Sequence, residues 1–293
     1  MRTRFALIFF VVLTCFYLSN IFAEITSVTD NDTYPQFCQE AAENSALFAQ
    51  FKSMPVYFGV VENVSYEQGK EYLDVIKKQS PELLDYLDVF KSNDSIGNPQ
   101  KFYYEDVGEI SPTTLRYIKI ASDLKILFGS LDQCIIVEIG GGYGGQCKIL
   151  ADIFHFKKYI IFDLPGPLAL AKRYLKELEV KNVQFVSFDS MISDKTFDLV
   201  ISNYAFSECT SKMQQKYIED VFAHSSKGYL LCNNFPANDP LSHLFSNKIE
   251  TLEKLSNQKI SWTELEEYPK TSPANYLIVW SRNNKTDSET ISQ

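Results

Sequence analysis

The chain reads as an α/β protein: a mostly parallel sheet with one antiparallel edge, preceded by a helical arm. Three observations predict it. Apolar strand patterns alternate with helical ones from Cys134 onward, two strands close the series as a pair, and five glycines crowd into Gly140 to Gly145 between the first strand and its helix. Glycines there let the backbone turn sharply and approach a ligand, because no Cβ blocks positive φ or close contact.

Residues 1–23 begin with Arg2 and Arg4, continue as an apolar run from Phe5 to Leu18, and offer a small residue, Ala23, for cleavage. This order predicts a secretory signal peptide. If the segment is retained, Phe5 to Phe22 is just long enough to anchor the chain, so export or membrane association through this segment is expected. Asn31, Asn63, Asn93 and Asn284 head N-glycosylation sequons in polar, exposed-looking stretches. With Cys15 assigned to the leader, Cys38, Cys134, Cys147, Cys209 and Cys232 remain; their spacing favours small buried apolar residues over disulfides.

Residues 24–129 are expected to form the arm. Phe37, Ala41, Phe48 and Phe51 mark one amphipathic helix. Ser65 and Gln68 form a capping box for a second, and Ser80-Pro81 starts a third carrying Leu83, Leu87 and Phe90. A fourth runs from the N-cap Ser111, with Pro112 in its first position, to the stop at Gly129. Between the last two, Tyr104 and Glu105 lie in a stretch of aromatics beside acids. Rings and carboxylates together suit a sugar's apolar faces and hydroxyls, so both are candidate substrate contacts.

Residues 130–281 carry the strands: Cys134–Ile139, Tyr159–Phe162, Val183–Phe188, Phe197–Asn203, Gly228–Asn233, and a closing pair at 259–263 and 276–281. Residues 282–293 are polar, without period, and expected as a disordered tail. A composition 45% hydrophobic is ample for a core. The formal charge of −9 argues against a nucleic-acid partner and for a small-molecule or glycan substrate.

The glycine turn satisfies two patterns. Gly140, Gly142 and Gly145 match the dinucleotide fingerprint G-x-G-x-x-G. Glu138, Gly140, Gly142 and Gly144 match E-x-G-x-G-x-G, which resembles the first motif of class I methyltransferases that use S-adenosyl-L-methionine (SAM). A carboxylate suits a cation and is a poor neighbour for a pyrophosphate, so Glu138 favours the second. Asp163, ending the second strand, stands where an acidic residue can take two ribose hydroxyls. Asp189-Ser190 resembles the position where methyltransferases meet the adenine amine, and Phe197–Asn203 resembles their fourth strand. The cofactor set expected on this basis is Glu138, Gly140, Gly141, Gly142, Gly144, Asp163, Leu164, Asp189, Ser190 and Asn203.

Longer stretches sharpen the likeness. Tyr103-Tyr104-Glu105, ISPTTLRY (Ile110 to Tyr117), VEIGGGYGGQ, FDLPG and SNYAFSE resemble a sugar O-methyltransferase family found with polysaccharide biosynthesis genes, from about Phe102 to Trp280. The resemblance implies a Rossmann-like class I methyltransferase fold, a seven-stranded sheet in the order 3-2-1-4-5-7-6, SAM as donor and a sugar hydroxyl as acceptor. Methyl transfer to a hydroxyl needs alignment and a base at a strand's carboxyl end. Glu208 is the first choice and His243 the second, with Tyr143 and Tyr204 as residues that position the acceptor. No cluster at metal-ligand spacing is visible, so a metal is not indicated. Two alternatives stand beside this reading. One is an NAD(P)-dependent Rossmann oxidoreductase, though a Tyr-x-x-x-Lys pair is missing after the fourth strand. The other is an exported, non-catalytic carbohydrate-binding protein of the same fold.

Overall fold

The computed structural model describes residues 33–187 and 196–233, residues 259–282 apart from 274, and isolated positions at 27, 29–30, 190, 250, 253–254 and 257. Residues 1–23 and the expected tail from 283 lie outside the described residues. The expectation of an exported or membrane-anchored chain is corrected: among the described residues no helix is long and apolar enough to cross a membrane.

The arm departs from its expected outline in two places. The pattern from Phe37 to Phe51 is not one helix. Helix α1 (Thr33–Glu43) stops because the Asn44 side chain accepts the N–H groups of Ala46 and Leu47, at 2.9 and 3.1 Å, and caps a new turn, Ser45–Phe48. After Pro81 the chain makes 3₁₀ turns over Pro81–Tyr86 and a single α-turn over Leu87–Phe90 rather than a third helix. The other two helices form as their caps dictate. Helix α2 (Tyr66–Gln79) carries the reciprocal Ser65–Gln68 box, and helix α3 (Pro112–Phe128) is capped by the Ser111 hydroxyl and ended by Gly129 at φ +76°. Between them lies a hairpin the pattern did not reveal, β1 (Phe102–Tyr104) against β2 (Gly108–Ile110). Three residues per strand are too few to display an alternation.

Seven strands make the main sheet: β3 (Ile135–Ile139), β4 (Lys158–Asp163), β5 (Val183–Ser187), β6 (Phe197–Asn203), β7 (Ser225–Cys232), β8 (Ile260–Glu266) and β9 (Tyr276–Arg282). Their order is β5-β4-β3-β6-β7-β9-β8, with β9 antiparallel to both neighbours. Counted from β3, this is 3-2-1-4-5-7-6, the class I methyltransferase arrangement. Helices α4 (Gly145–Ile153), α5 (Pro165–Glu177) and α7 (Ser211–Asp220), with the one-turn α6 (Ala205–Glu208), provide the connections.

Because side chains alternate along a strand, the sheet buries two separate cores. Ile136, Ile161, Leu199 and Ile201 face the arm, α3, α4 and α5. Val137, Ile139, Ile160 and Val200 face α7 on the other side. The arm is fused into the first core. Asn93, expected as an exposed sequon, is corrected: it is fully buried, and its amide donates to Thr114 Oγ1 at 2.7 Å and to the Tyr143 hydroxyl at 3.1 Å. The five described cysteines are free thiols, four of them buried.

Helix α1 lies directly on the start of α5, where Gly166 meets Pro35. A Cβ on Gly166 would stand 1.9 Å from the Pro35 carbonyl oxygen, a backbone atom that cannot swing aside. Gly166→Ala is therefore expected to cost about 1–3 kcal/mol of stability through forced displacement of α1. Urea denaturation reads this directly; an unchanged midpoint contradicts the packing.

Candidate functional site

At the carboxyl ends of β3, β4 and β6 the glycine turn, the arm and the β8–β9 loop line an open cavity of about 530 Å³, a size ordinary for a small-molecule site. A smaller one of about 50 Å³ adjoins it and shares Gly140, Asp163, Ala205 and Glu208. This is where a ligand binds in open α/β sheets, outside the strand ends on either side of the first strand.

Glu138 is the deepest group. It is 2% exposed, and its Oε2 accepts the Tyr159 hydroxyl at 2.8 Å. Burial pushes its carboxyl up to about 8, and the nearby Asp163 charge adds to the rise while Tyr159 opposes it. Asp163 ties two pieces together. It accepts the N–H of Gly142 at 2.9 Å and that of Leu164 at 2.7 Å, so the end of β4 clamps the glycine turn. It is partly buried at the cavity wall, and desolvation lifts it to about 7 against the pull of both N–H groups. The turn itself needs glycine at Gly140, which sits at φ +74° with a would-be Cβ 2.0 Å from the Cβ of Ala205.

After β6 the chain is bent and held open. Tyr204 has φ +72°, a conformation costly for a non-glycine residue and concentrated at functional sites. Its N–H is fixed by the Leu231 carbonyl at 2.8 Å, and its hydroxyl donates to Glu267, which is buried in the β8–β9 loop. Thr271 Oγ1 joins the same cluster, 3.2 Å from the Tyr204 hydroxyl and 2.7 Å from Glu267 Oε2, and accepts the Asn275 amide at 2.9 Å. One turn on, Glu208 lines both cavities. It accepts the Asn233 amide at 2.7 Å, and burial raises its pKa.

The expected site residues divide by place. Glu138, Gly140, Gly141, Gly142, Asp163, Asn203, Tyr204 and Glu208 line the large cavity, and Leu164 lines the small one. Gly144 lies beneath the turn against Leu175, as the left-handed N-cap of α4. Ser190 donates its N–H to Ser187 at 2.9 Å and lines neither cavity. Tyr104 is 2% exposed, stacked on Tyr66, and Glu105 is exposed on the hairpin away from the cavity. Tyr143 is fully buried among Phe51, Tyr57, Tyr117 and Tyr174. None of the three lines the large cavity: Tyr143 packs the turn against the arm, Tyr104 closes the hairpin on Tyr66, and Glu105 is exposed. Asp189 and His243 lie outside the described residues. Among those described, no group of three or more His, Cys, Asp or Glu side chains is placed to hold a metal.

Among the residues that escaped the sequence reading are Arg116, Thr271 and Asn275, which line the cavity, and Glu267, which holds Thr271 from behind. Arg116 stood inside the SPTTLRY stretch that carried the resemblance. The other three come from a loop some sixty residues past Tyr204, and only the antiparallel closing pair brings them back.

No protein-family model matches the chain, and neither does any curated protein. Solved structures similar to it include three methyltransferases. A SAM-bound amino pentose methyltransferase from Micromonospora echinaspora is 13% identical over 57% of this chain and 90% of its own, with a TM-score of 0.44. An rRNA methylase from Streptococcus thermophilus is 15% identical over 57% and 96%, with 0.42. A SAM-dependent methyltransferase from Aquifex aeolicus is 15% identical over 57% and 96%, with 0.39. The fold assignment stands on the strand order of this chain.

Glu138 and Asp163 have pKa values raised above their ordinary 4.5 and 3.8. The folded state therefore holds protons that the unfolded chain has released, and the stability this gives is present in full below about pH 4 and lost progressively up to about pH 8. The melting temperature of the ligand-free protein is expected to fall as pH rises from about 5 to 8, and Glu138→Gln to flatten the fall. A pH-independent melt in the parent protein contradicts the burial of these carboxyls.

Proposed function

We propose that the chain is a SAM-dependent O-methyltransferase acting on a hydroxyl of a sugar or glycan. The observation that supports this most is one cavity wall bearing two unlike carboxyls at the ends of adjacent strands. Glu138 is deep and awaits a cation, whereas Glu208 stands at the β6 end with a raised pKa suited to a base.

The donor fits the groups present. Gly140 to Gly142 leave the floor clear of Cβ atoms, and Asn203 Oδ1 is a buried acceptor with no partner. With Glu138, these would hold the methionine end and its ammonium. Asp163 would take the ribose hydroxyls, and Leu164 with Met213 in the smaller cavity would flank the base. When bound, SAM supplies an electrophilic methyl carbon on a positively charged sulfur.

The remaining work falls to side chains. Glu208 accepts the proton of the acceptor hydroxyl, and the Asn233 amide keeps its carboxyl turned to the cavity. Tyr204, anchored at both ends, sets the wall against which the acceptor lies. Asn63, Gln68, Thr271, Ser272 and Asn275 line the outer part with donors and acceptors, the chemistry a polyhydroxylated acceptor requires.

Calorimetric titration with SAM and, separately, with NAD tests the donor. Saturable SAM binding and no response to NAD are expected, and a protein that ignores SAM sinks the reading. Glu208→Gln is then expected to lower turnover about 10²–10⁴-fold with SAM affinity retained. Equal loss of turnover and SAM binding would assign Glu208 to structure instead.

A further inference from the structure

Arg116 projects from the first turns of α3 into the large cavity. It is only 8% exposed, and among the described lining residues it is the sole cationic side chain. Its Nη2 donates to the Val61 carbonyl at 3.0 Å, which fixes the plane of the guanidinium. Its Nε is buried without a partner, and it makes no ion pair with a described carboxylate. The ring centroids of Tyr117 and Tyr204 lie 5.6 and 6.0 Å from its guanidinium carbon.

A buried guanidinium cannot discharge itself by losing a proton, so its desolvation is tolerable only if something supplies the missing charge. Within this chain the buried Glu62 and the rings of Tyr117 and Tyr204 attract it, but no described carboxylate closes an ion pair with it. We propose that Arg116 is the receptor for a carboxylate carried by a ligand of this cavity. A planar fork with one fixed arm matches a planar carboxylate in two parallel hydrogen bonds.

Such a carboxylate has two sources. One is the methionine end of the donor, since Val61, which Arg116 holds, lies beside Gly142 of the turn. The other is the acceptor, in which case the sugar is a uronate. Both names rest on the methyltransferase reading; the carboxylate preference of Arg116 does not.

Calorimetry on the parent protein, Arg116→Met and Arg116→Lys decides between them. SAM is compared with decarboxylated SAM, and glucuronate with glucose, the sugars on both ligand-free and S-adenosylhomocysteine-loaded protein. In one pair the parent is expected to prefer the carboxylate-bearing ligand by about tenfold or more. Arg116→Met removes that preference, and Arg116→Lys, which keeps the charge and the fold, retains part of it. Loss in the first pair assigns the donor, and loss in the second assigns a uronate acceptor. Preferences that are absent in the parent, or unchanged in Arg116→Met for both pairs, overturn the proposal. SAM binding by the parent in that case leaves the methyltransferase reading standing. A parent that ignores SAM removes that reading while the sugar pair still decides Arg116.

Discussion

The position of Tyr143 governs the rest of the structure. It interrupts the glycine turn, and its ring is driven inward among Phe51, Tyr57, Tyr117 and Tyr174, with centroids 4.8 to 6.1 Å away. Asn93 bonds its hydroxyl, and the buried Lys52 places its ammonium 4.1 Å from the ring centre while donating to the Asn93 carbonyl at 2.6 Å. Burial pushes the pKa of that ammonium down, and the Coulombic pull of Glu62 and Asp94 opposes it. The rings' electron-rich faces therefore supply part of what water would have given. The glycine turn and the arm are thus pinned at one point, and the arm becomes a wall of the cavity.

That pin explains which parts of the site were legible in the sequence. Residues on the strand ends, such as Glu138, Asp163 and Asn203, were readable because strand, turn and acid recur at fixed local spacing. Tyr143 was misread for the same reason that it matters. A tyrosine inside a ligand-binding turn looks like a ligand contact, and only the arm's aromatics, ninety residues or so upstream, reveal that it points the other way. Tyr104 fails likewise: its hydroxyl reaches the Tyr66 carbonyl at 3.2 Å and closes the hairpin against α2, with no room even for a Cβ on Gly69. Aromatic richness marked a packing seam between arm and sheet.

The sheet order was legible because its causes are local. Parallel strands separated by helices, then two strands without one, leave few ways to close a sheet. The arm's outline was less so. Asn44 breaks one amphipathic pattern with a cap of its own, and Pro81 turns another into 3₁₀ geometry, although the apolar spacing runs on through both. Periodicity shows which residues are buried, whereas caps decide where a helix ends.

The electrostatics of the cavity follow from this geometry. Glu138 and Asp163 belong to neighbouring strands in register, Glu138 opposite Ile161 two residues before Asp163, so folding forces two carboxyls toward one cavity. Glu208 arrives from the other side of β3. Each has its pKa raised by burial, so each is less stable ionised than it would be in water. An acidic cluster of this kind is relieved by a positive ligand, and the relief is available at Glu138, with which no described cation pairs. Arg116, which lines the same cavity, presents the opposite deficit. A ligand carrying an ammonium and a carboxylate on one carbon would answer both, and it would do so without altering the net charge of the cavity.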